Sequence, residues 1–135
     1  MKVALIGYGK MGREIESVLL ERGHEIVARF GKSGIEIDDL KKADVAIEFS
    51  RPESAYTNIL ACIQSKIPVV IGTTGWLDKF DDAVSNCKSQ NGGFIYASNY
   101  SLGVNLFFAL NERLAELMAG QPQYRLEMEE IHHLE

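Results

Sequence analysis

The feature that most constrains the fold of this chain is a glycine-rich turn close to its N-terminus. An apolar run from Val3 to Ile6 leads into Gly7-Tyr-Gly-Lys-Met-Gly12, and an amphipathic segment follows directly. Glycines at this spacing, between a buried strand and a helix, permit a tight turn, close approach of the backbone to a pyrophosphate, and close helix–strand packing. Free amide N–H groups and the positive end of the helix dipole then face the anion. The sequence therefore predicts a dinucleotide-binding turn.

The same turn has two other interpretations. A nucleoside-triphosphate loop fits poorly: Gly7 and Gly12 have its spacing, but Arg13 and Glu14 stand where lysine and serine or threonine are required. An ordinary glycine turn without a ligand stays open on the turn alone. The order of elements around it, a strand before and a helix after, favours the dinucleotide interpretation.

Beyond the turn, strand patterns alternate with helix patterns as far as residue 97. The apolar run Ile67–Ile71 is typical of a parallel strand covered on both faces. This alternation predicts an α/β fold, a doubly wound parallel sheet of the Rossmann type, over residues 1–101. The predicted strands after the first are 25–30, 44–49, 67–71 and 93–97, and the predicted helices are 11–22, 52–63, 78–88 and 102–119, with a short polar helix or turn at 38–43.

The unusual residues of the chain lie at the carboxyl ends of these strands, where doubly wound sheets bind their ligands. One dinucleotide stretched along that edge of the sheet, called here the crest, would reach every one of these segments. They are Gly7–Gly12, Gly31–Lys32, Glu48–Pro52, Gly72–Gly75 and Ala97–Ser101.

The end of the second predicted strand bears on the choice of cofactor. Dinucleotide folds usually place an acidic residue there to hold the adenosine ribose, but this chain has Gly31, with Arg29 and Lys32 beside it. Cations without an acid suit the 2′-phosphate of NADPH better than the free hydroxyl of NADH. The alternative, that Arg29 and Lys32 are solvated surface charges, is almost as well supported.

Composition excludes several function classes. The net charge of −5 argues against a general nucleic-acid binder, and no apolar stretch approaches the length of a membrane span. The two cysteines, Cys62 and Cys87, fall in predicted helices without metal-ligand spacing. We expect reduced thiols, no metal site, and a cytoplasmic protein.

Taken together, the motifs resemble the dihydrodipicolinate reductases of lysine and diaminopimelate biosynthesis. The resemblance runs along the whole chain, and its most specific blocks are Asn99–Asn105 and Glu130–His133. In order, the matching segments read Gly-Tyr-Gly-Lys-Met-Gly-Arg, Glu-Phe-Ser-Arg-Pro, Gly-Thr-Thr-Gly, Asn-Tyr-Ser-Leu-Gly-Val-Asn and Glu-Ile-His-His.

The resemblance implies a cofactor, NADPH or NADH, and a set of residues that bind it. The turn would hold the pyrophosphate, Lys32 the adenosine phosphate, and Phe49 would pack near the nicotinamide. The segments after the fourth and fifth strands would line the nicotinamide ribose. The full set is Gly7, Tyr8, Gly9, Lys10, Met11, Gly12, Lys32, Phe49, Gly72, Thr73, Thr74, Ala97, Ser98, Asn99 and Tyr100.

The resemblance also implies a catalytic role for His132 and a substrate contact for His133. Members of the family reduce the product of dihydrodipicolinate synthase to tetrahydrodipicolinate, with a histidine as the proposed proton donor. An imidazole suits that role because its ordinary pKa, about 6.5, lies near working pH. On residue type alone, such a pair is more often surface than catalytic. Adjacent strand residues point to opposite faces, so the pair is poorly placed to hold one metal ion.

The chain departs from the family pattern at its C-terminal end. A catalytic lysine and an Asp-Ala-Pro-Ser-Gly-Thr segment that binds substrate are expected after the histidine pair, but the sequence reaches only Leu134-Glu135. Residues 102–135 are therefore interpreted as a linking helix and the first strand, Tyr124–His133, of a truncated substrate and oligomerisation domain. We expect a homo-oligomeric parent, a tetramer by resemblance, and an inactive fragment.

Three other functions compete with the reductase. A non-catalytic sensor of NAD(P) would not require the Asn99 block or the histidine pair. A short-chain dehydrogenase is excluded because no tyrosine has a lysine four residues later. A pure interaction domain is disfavoured because the unusual residues gather where sheets bind small ligands.

Overall fold

The computed structural model describes residues 1–129 and 131, and the chain divides into two compact units, Met1–Ser98 and Asn99–Glu135. The first unit is a parallel sheet of five strands in the order β2-β1-β3-β4-β5. The predicted α/β class and parallel sheet are confirmed. In chain order its elements are β1 (Lys2–Ile6), α1 (Lys10–Glu21), β2 (Glu25–Phe30), α2 (Ile37–Leu40), β3 (Val45–Glu48), α3 (Pro52–Gln64), β4 (Val69–Ile71), a 3-10 helix (Leu77–Lys79), α4 (Phe80–Ser89) and β5 (Phe94–Tyr96).

The strand order determines where a ligand would bind. From β1 the chain passes to β2 on one side and then to β3 on the other, so the order reverses between β1 and β3. In open α/β sheets the crevice outside the strand ends at such a reversal is the binding site. The glycine turn leaves β1 at this point, and α3 begins just after β3 with Pro52 in its first turn.

The core of the first unit is formed by the apolar faces of the sheet and by helix α3. Its buried side chains include Leu5, Leu40, Ile59 and Ile71. An aromatic group closes the β4–β5 side around Trp76, whose ring centroid lies 5.5 Å from that of Tyr96 and 5.8 Å from that of Phe80. Aromatic pairs in this range add to the stabilisation from burial.

Helix α1 buries only part of its apolar stripe. Of the apolar residues at helical spacing, Ile15 and Leu19 are half-buried and Met11 and Val18 are exposed, while the buried residues are Gly12 and Glu16. Met11 is 53% exposed and Val18 45%. Glycine at position 12 lets the helix approach the turn closely, and the glutamate is tolerated because two side chains bond to its carboxyl group.

The second unit is dominated by helix α5 (Leu102–Met118), none of whose residues is buried. After it, the predicted strand Tyr124–His133 is wrong for the part that the structure describes, since residues 124–129 and 131 form no regular structure. Alternating side chains can make a strand only if a neighbouring strand pairs with its backbone. Glu130, His132 and His133 lie outside the described residues. Across residues 1–129 and 131, no helix is long and apolar enough to span a membrane.

Candidate functional site

The glycine turn is held tightly between the ends of β2 and β3. Gly7 has φ +92°, and a Cβ atom there would overlap the carbonyl oxygen of Phe49. Its N–H donates to the carbonyl of Phe30 at 2.9 Å. A Cβ atom on Gly12 would in turn overlap the carbonyl oxygen of Gly7. Both positions therefore require glycine for reasons of packing, and Gly7 also requires it for its backbone conformation.

Gly9 serves the turn in a different way. A Cβ atom there would have no heavy atom within 4 Å, so the space beside its backbone is open. Gly9 is also the N-cap of α1 and supplies no side-chain oxygen to the first-turn N–H groups. A helix N-terminus with open space beside it can accept an anion, and a pyrophosphate fits the residues present.

Two neighbouring cavities lie at this crest, with volumes of about 350 and 310 Å³. The larger one reaches Phe30, Ile35 and Asn58, and the smaller one reaches Tyr8, Gly9 and Phe49. This surface combines backbone groups, cations, hydroxyls and apolar walls. An elongated anion with planar rings therefore suits it. The residues that line both cavities are Gly7, Gly31, Lys32, Ser50, Arg51 and Ser54.

Arg51 is a candidate site residue that the sequence analysis did not single out. It lines both cavities together with Lys32, which comes from the other side of the crevice. The sequence feature that could have identified Arg51 is its position. Strand β3 ends at Glu48, and Arg51 is a cation three residues beyond that end. The sequence pattern marks the segment Glu48–Pro52 as unusual but does not distinguish the arginine within it.

Arg29 forms an ion pair within the protein, while its side chain stays 43% exposed. Its Nε donates to Glu16 Oε1 at 2.9 Å, a second guanidinium N–H bonds to the same oxygen, and Tyr8 donates its hydroxyl to Glu16 Oε2. The guanidinium of Arg29 first, and the hydroxyl of Tyr8 second, lower the pKa of Glu16. Arg29 is thus paired within the protein, and Lys32 is the cation of this segment that lines the cavities.

The end of β3 is organised by a buried carboxyl group. Glu48 is fully buried, and its Oε1 accepts from the Ser50 hydroxyl and, at 3.2 Å, from Asn58 Nδ2. Asn58 Nδ2 also lies 3.1 Å from Ser50 Oγ. The second carboxyl oxygen, Oε2, has no hydrogen-bond partner among the described residues. Sequence reasoning missed this group, because a glutamate at a strand end resembles a solvated one.

The segment after β4 packs onto the end of β3. Gly72 donates its N–H to the carbonyl of Glu48 at 2.9 Å, and a Cβ atom on Gly72 would overlap the ring of Phe49. Ser50 donates its backbone N–H to Thr73 Oγ1 at 2.7 Å, and Thr73 is buried. The structure thus brings three of the predicted cofactor-binding residues together here. Thr74 is exposed.

The other predicted residues are distributed as follows. Lys10 is the exposed first residue of α1, and the Met11 side chain lines a separate groove of about 310 Å³ along that helix with Val18 and Leu19. Ala97 donates its N–H to the carbonyl of Ile71 at 3.3 Å, which continues the β4–β5 pairing, and the next residue, Ser98, is exposed.

In the second unit, the Asn99 block forms a helix cap. Asn99 Oδ1 accepts from the Ser101 N–H at 2.8 Å, and Ser101 Oγ accepts from the Val104 N–H at 3.4 Å. Asn105 Nδ2 donates to the carbonyls of Asn99 and Ser101 at 3.0 and 2.8 Å. These polar residues therefore stabilise the start of α5, and Tyr100 beside them is 45% exposed. Their predicted cofactor contacts, like the roles of His132 and His133, stay predictions.

The cysteines and the acidic residues form no metal site in the part of the chain that the structure describes. Both thiols are free; burial, and next the charge of Glu48, raise the pKa of Cys62 to about 12. A thiol in this state is unreactive and packs as a small apolar side chain.

Comparison with known proteins identifies the family of the chain. Residues 1–100 match the family described as "Dihydrodipicolinate reductase, N-terminus". The whole chain is 50% identical to a 4-hydroxy-tetrahydrodipicolinate reductase of Christiangramia forsetii and covers 57% of it. A second relative of the same name, from Pseudoalteromonas atlantica, is 38% identical over 79% of this chain and 41% of its own. The chain thus spans only about half the length of these relatives.

Solved structures support the fold. Dipicolinate-bound dihydrodipicolinate reductase from Paenisporosarcina superposes with a TM-score of 0.65 at 23% identity, over 90% of this chain and 54% of that one. An archaeal homoserine dehydrogenase in complex with NADPH gives 0.59 at 13% identity, over 70% of this chain and 43% of that one. Fold and family together indicate a nicotinamide dinucleotide as the cofactor. By its first 100 residues, the chain belongs to the dihydrodipicolinate reductase family.

Proposed function

We propose that this chain is the cofactor-binding part of a reductase that transfers hydride from NAD(P)H to dihydrodipicolinate (4-hydroxy-tetrahydrodipicolinate) in lysine and diaminopimelate biosynthesis. One observation carries the proposal: the glycine turn leaves open space beside Gly9 at the start of α1, in a chain whose residues 1–100 match this family. Its curated relatives of 50% and 38% identity are 4-hydroxy-tetrahydrodipicolinate reductases.

Different crest residues would bind different parts of the cofactor. The N–H groups of the turn would bind the pyrophosphate, while Lys32 and Arg51 would bind phosphate on the adenosine side. Phe49, Thr73 and the strand-end segments beside them would bind the nicotinamide side. The chemistry that such a cofactor supplies when bound is a hydride for the substrate.

The charges at the crest favour NADPH. Among the described residues, the two crest cavities are lined by two cations, Lys32 and Arg51, and by no aspartate or glutamate. A 2′-phosphate gains charge-assisted bonds from such cations, whereas a free ribose hydroxyl usually relies on an acidic residue. We therefore propose that NADPH binds at least as tightly as NADH.

Equilibrium titration with the two cofactors tests this function directly. We expect the fluorescence of the 135-residue chain with NADPH to saturate, with a dissociation constant no larger than that for NADH. Failure to bind either dinucleotide would contradict the proposed function. Clearly tighter binding of NADH would leave the cofactor site in place and contradict only the phosphate assignment.

The proposed chemistry places His132 as the proton donor and His133 as a substrate contact. Hydride transfer needs both reactants held in a near-attack arrangement, and the matched relatives are longer than this chain. We expect the 135-residue chain to bind cofactor yet consume NADPH negligibly with freshly generated substrate. In a longer protein that carries this sequence, His132→Gln should lower mainly kcat. Normal turnover by the 135-residue chain would mean that the substrate site lies elsewhere.

A further inference from the structure

The buried carboxyl group of Glu48 lies where a parallel sheet normally has apolar residues. It is the last residue of β3, the middle strand, and pairs with Ile6 on one side and Ile71 on the other. Burying a polar group costs free energy unless it is hydrogen-bonded, and Oε2 of this residue has no partner among the described residues. An apolar side chain of similar volume would avoid that cost, so fold stability alone does not explain a glutamate here.

The hydrogen-bond partners of Glu48 indicate another role. Both side chains that donate to Oε1, the Ser50 hydroxyl and the Asn58 amide, line the larger crest cavity. Because a carboxyl oxygen accepts, it turns the nitrogen end of the Asn58 amide toward itself. The Asn58 nitrogen also contacts Ser50 Oγ, so the three groups form a closed triangle.

The same network extends from the larger crest cavity to the segment after β4. Ser50 donates its backbone N–H to the buried hydroxyl of Thr73, in the segment after β4. Ser50 also follows Phe49, whose carbonyl oxygen lies against Gly7. The buried carboxyl group of Glu48 therefore holds Ser50, the residue at which the glycine turn, the start of α3 and the segment after β4 meet.

We propose that Glu48 is a positioning residue for the cofactor, acting through Ser50 and Asn58; this rests on the proposed function. Without its carboxyl group, the hydroxyl of Ser50 and the amide of Asn58 lose their common acceptor and adopt several arrangements. Binding then has to order them, which lowers affinity without removing a direct contact.

The test is to separate stability from affinity with Glu48→Met in the 135-residue chain. Methionine has a similar length and no polar group to bury, so we expect an unchanged or higher Tm. We expect the dissociation constant for NADPH to rise about tenfold, which corresponds to one lost positioning interaction. An unchanged dissociation constant in a folded Glu48→Met chain would overturn the proposal.

Glu48→Gln is the matched rescue variant. It keeps the length of the side chain and one oxygen that accepts from Ser50 and Asn58, so affinity should stay within about threefold of the unchanged chain. A loss as large as that of Glu48→Met would contradict positioning through this acceptor. Absence of NADPH binding by the unchanged chain would overturn the proposed function as well, before any variant is compared.

Ser50→Ala tests the same positioning role if Glu48→Met does not fold. It removes the hydroxyl bonded to Glu48 but leaves the buried carboxyl group in place, and we expect at least about fivefold weaker NADPH binding. Ser85→Ala is the control, because the hydroxyl of Ser85 donates to the carbonyl of Asp81 within its own helix. Equal affinities for these two variants would overturn the proposal.

Discussion

The glycine turn and the end of β3 border the same crevice but are built in opposite ways. At the turn, Gly7 and Gly12 work because they have no side chain, and the backbone segments touch one another directly. At the end of β3, the side chains of Glu48, Ser50 and Asn58 bond to one another around a buried carboxyl group. One wall of the crevice is thus made of backbone and the other of a side-chain network.

This difference determines how each wall responds to mutation. Adding atoms to a backbone wall disrupts it. The added atoms weaken ligand binding if they point into the crevice, and they destabilise the fold if they point into the protein. A side-chain wall is damaged by removing polar groups, and its fold can survive because apolar replacements pack well. The turn therefore offers the clearest way to separate the two kinds of damage.

The largest effect is expected for Gly9→Val. Its side chain would enter the open space beside Gly9, where the pyrophosphate is proposed to lie, and the backbone there has no positive φ. NADPH binding should weaken more than about 100-fold, or roughly 3 kcal/mol, with Tm unchanged. Gly9→Ala, with fewer added atoms, should give a smaller loss. Unchanged affinity of Gly9→Val by fluorescence titration would remove the turn from the binding site.

Gly7→Ala should damage the fold instead of the ligand site. The new Cβ atom would overlap the Phe49 carbonyl at a positive φ, which should lower the free energy of unfolding by about 2–4 kcal/mol. Urea denaturation measures this loss. Gly93→Ala is the control, because a Cβ atom there has open space and no positive φ. Equal stability of the two variants would contradict the packing role of Gly7.

Lys32→Ala tests whether the segment after β2 binds the phosphate. Lys32 comes from the segment after β2 and lines both cavities with Arg51. Losing one charge-assisted bond should weaken NADPH by roughly 1.5–3 kcal/mol and leave NADH nearly unchanged. The exposed Lys41 supplies the control variant, Lys41→Ala. An equal loss for both cofactors would show that Lys32 does not recognise the 2′-phosphate.

The smallest effect is expected for Glu16→Gln, which removes the charge that pairs with Arg29 and bonds to Tyr8 of the glycine turn. Pairing with Arg29 and Tyr8 lowers the pKa of Glu16, so its contribution to stability is complete above the ordinary glutamate range. That contribution is lost as the pH falls through the lowered pKa. Thermal unfolding should therefore show a lower Tm than the unchanged chain at neutral pH, and the difference should vanish in acid. Glu21→Gln, at the exposed end of α1, should show no such pH dependence.

The sequence by itself determined the parallel α/β sheet, the glycine turn and the family. These depend on patterns within a few residues: apolar runs with glycines at their ends, and the backbone conformations that only glycine adopts at Gly7. Such local patterns specify local structure, and their order along the chain predicts a parallel sheet. The strand predicted over Tyr124–His133 was wrong for its described residues, because alternation indicates two faces but supplies no pairing partner.

Only the tertiary structure decided which side chains meet. Glu16 and Arg29 lie 13 positions apart and Glu48 and Asn58 lie 10 apart, yet each pair bonds because a helix packs against the sheet. Lys32 and Arg51 line the same cavities because they follow β2 and β3, the two strands that lie on either side of β1. A charged residue in a sequence looks solvated until the packing around it is known, since burial and partners come from distant parts of the chain.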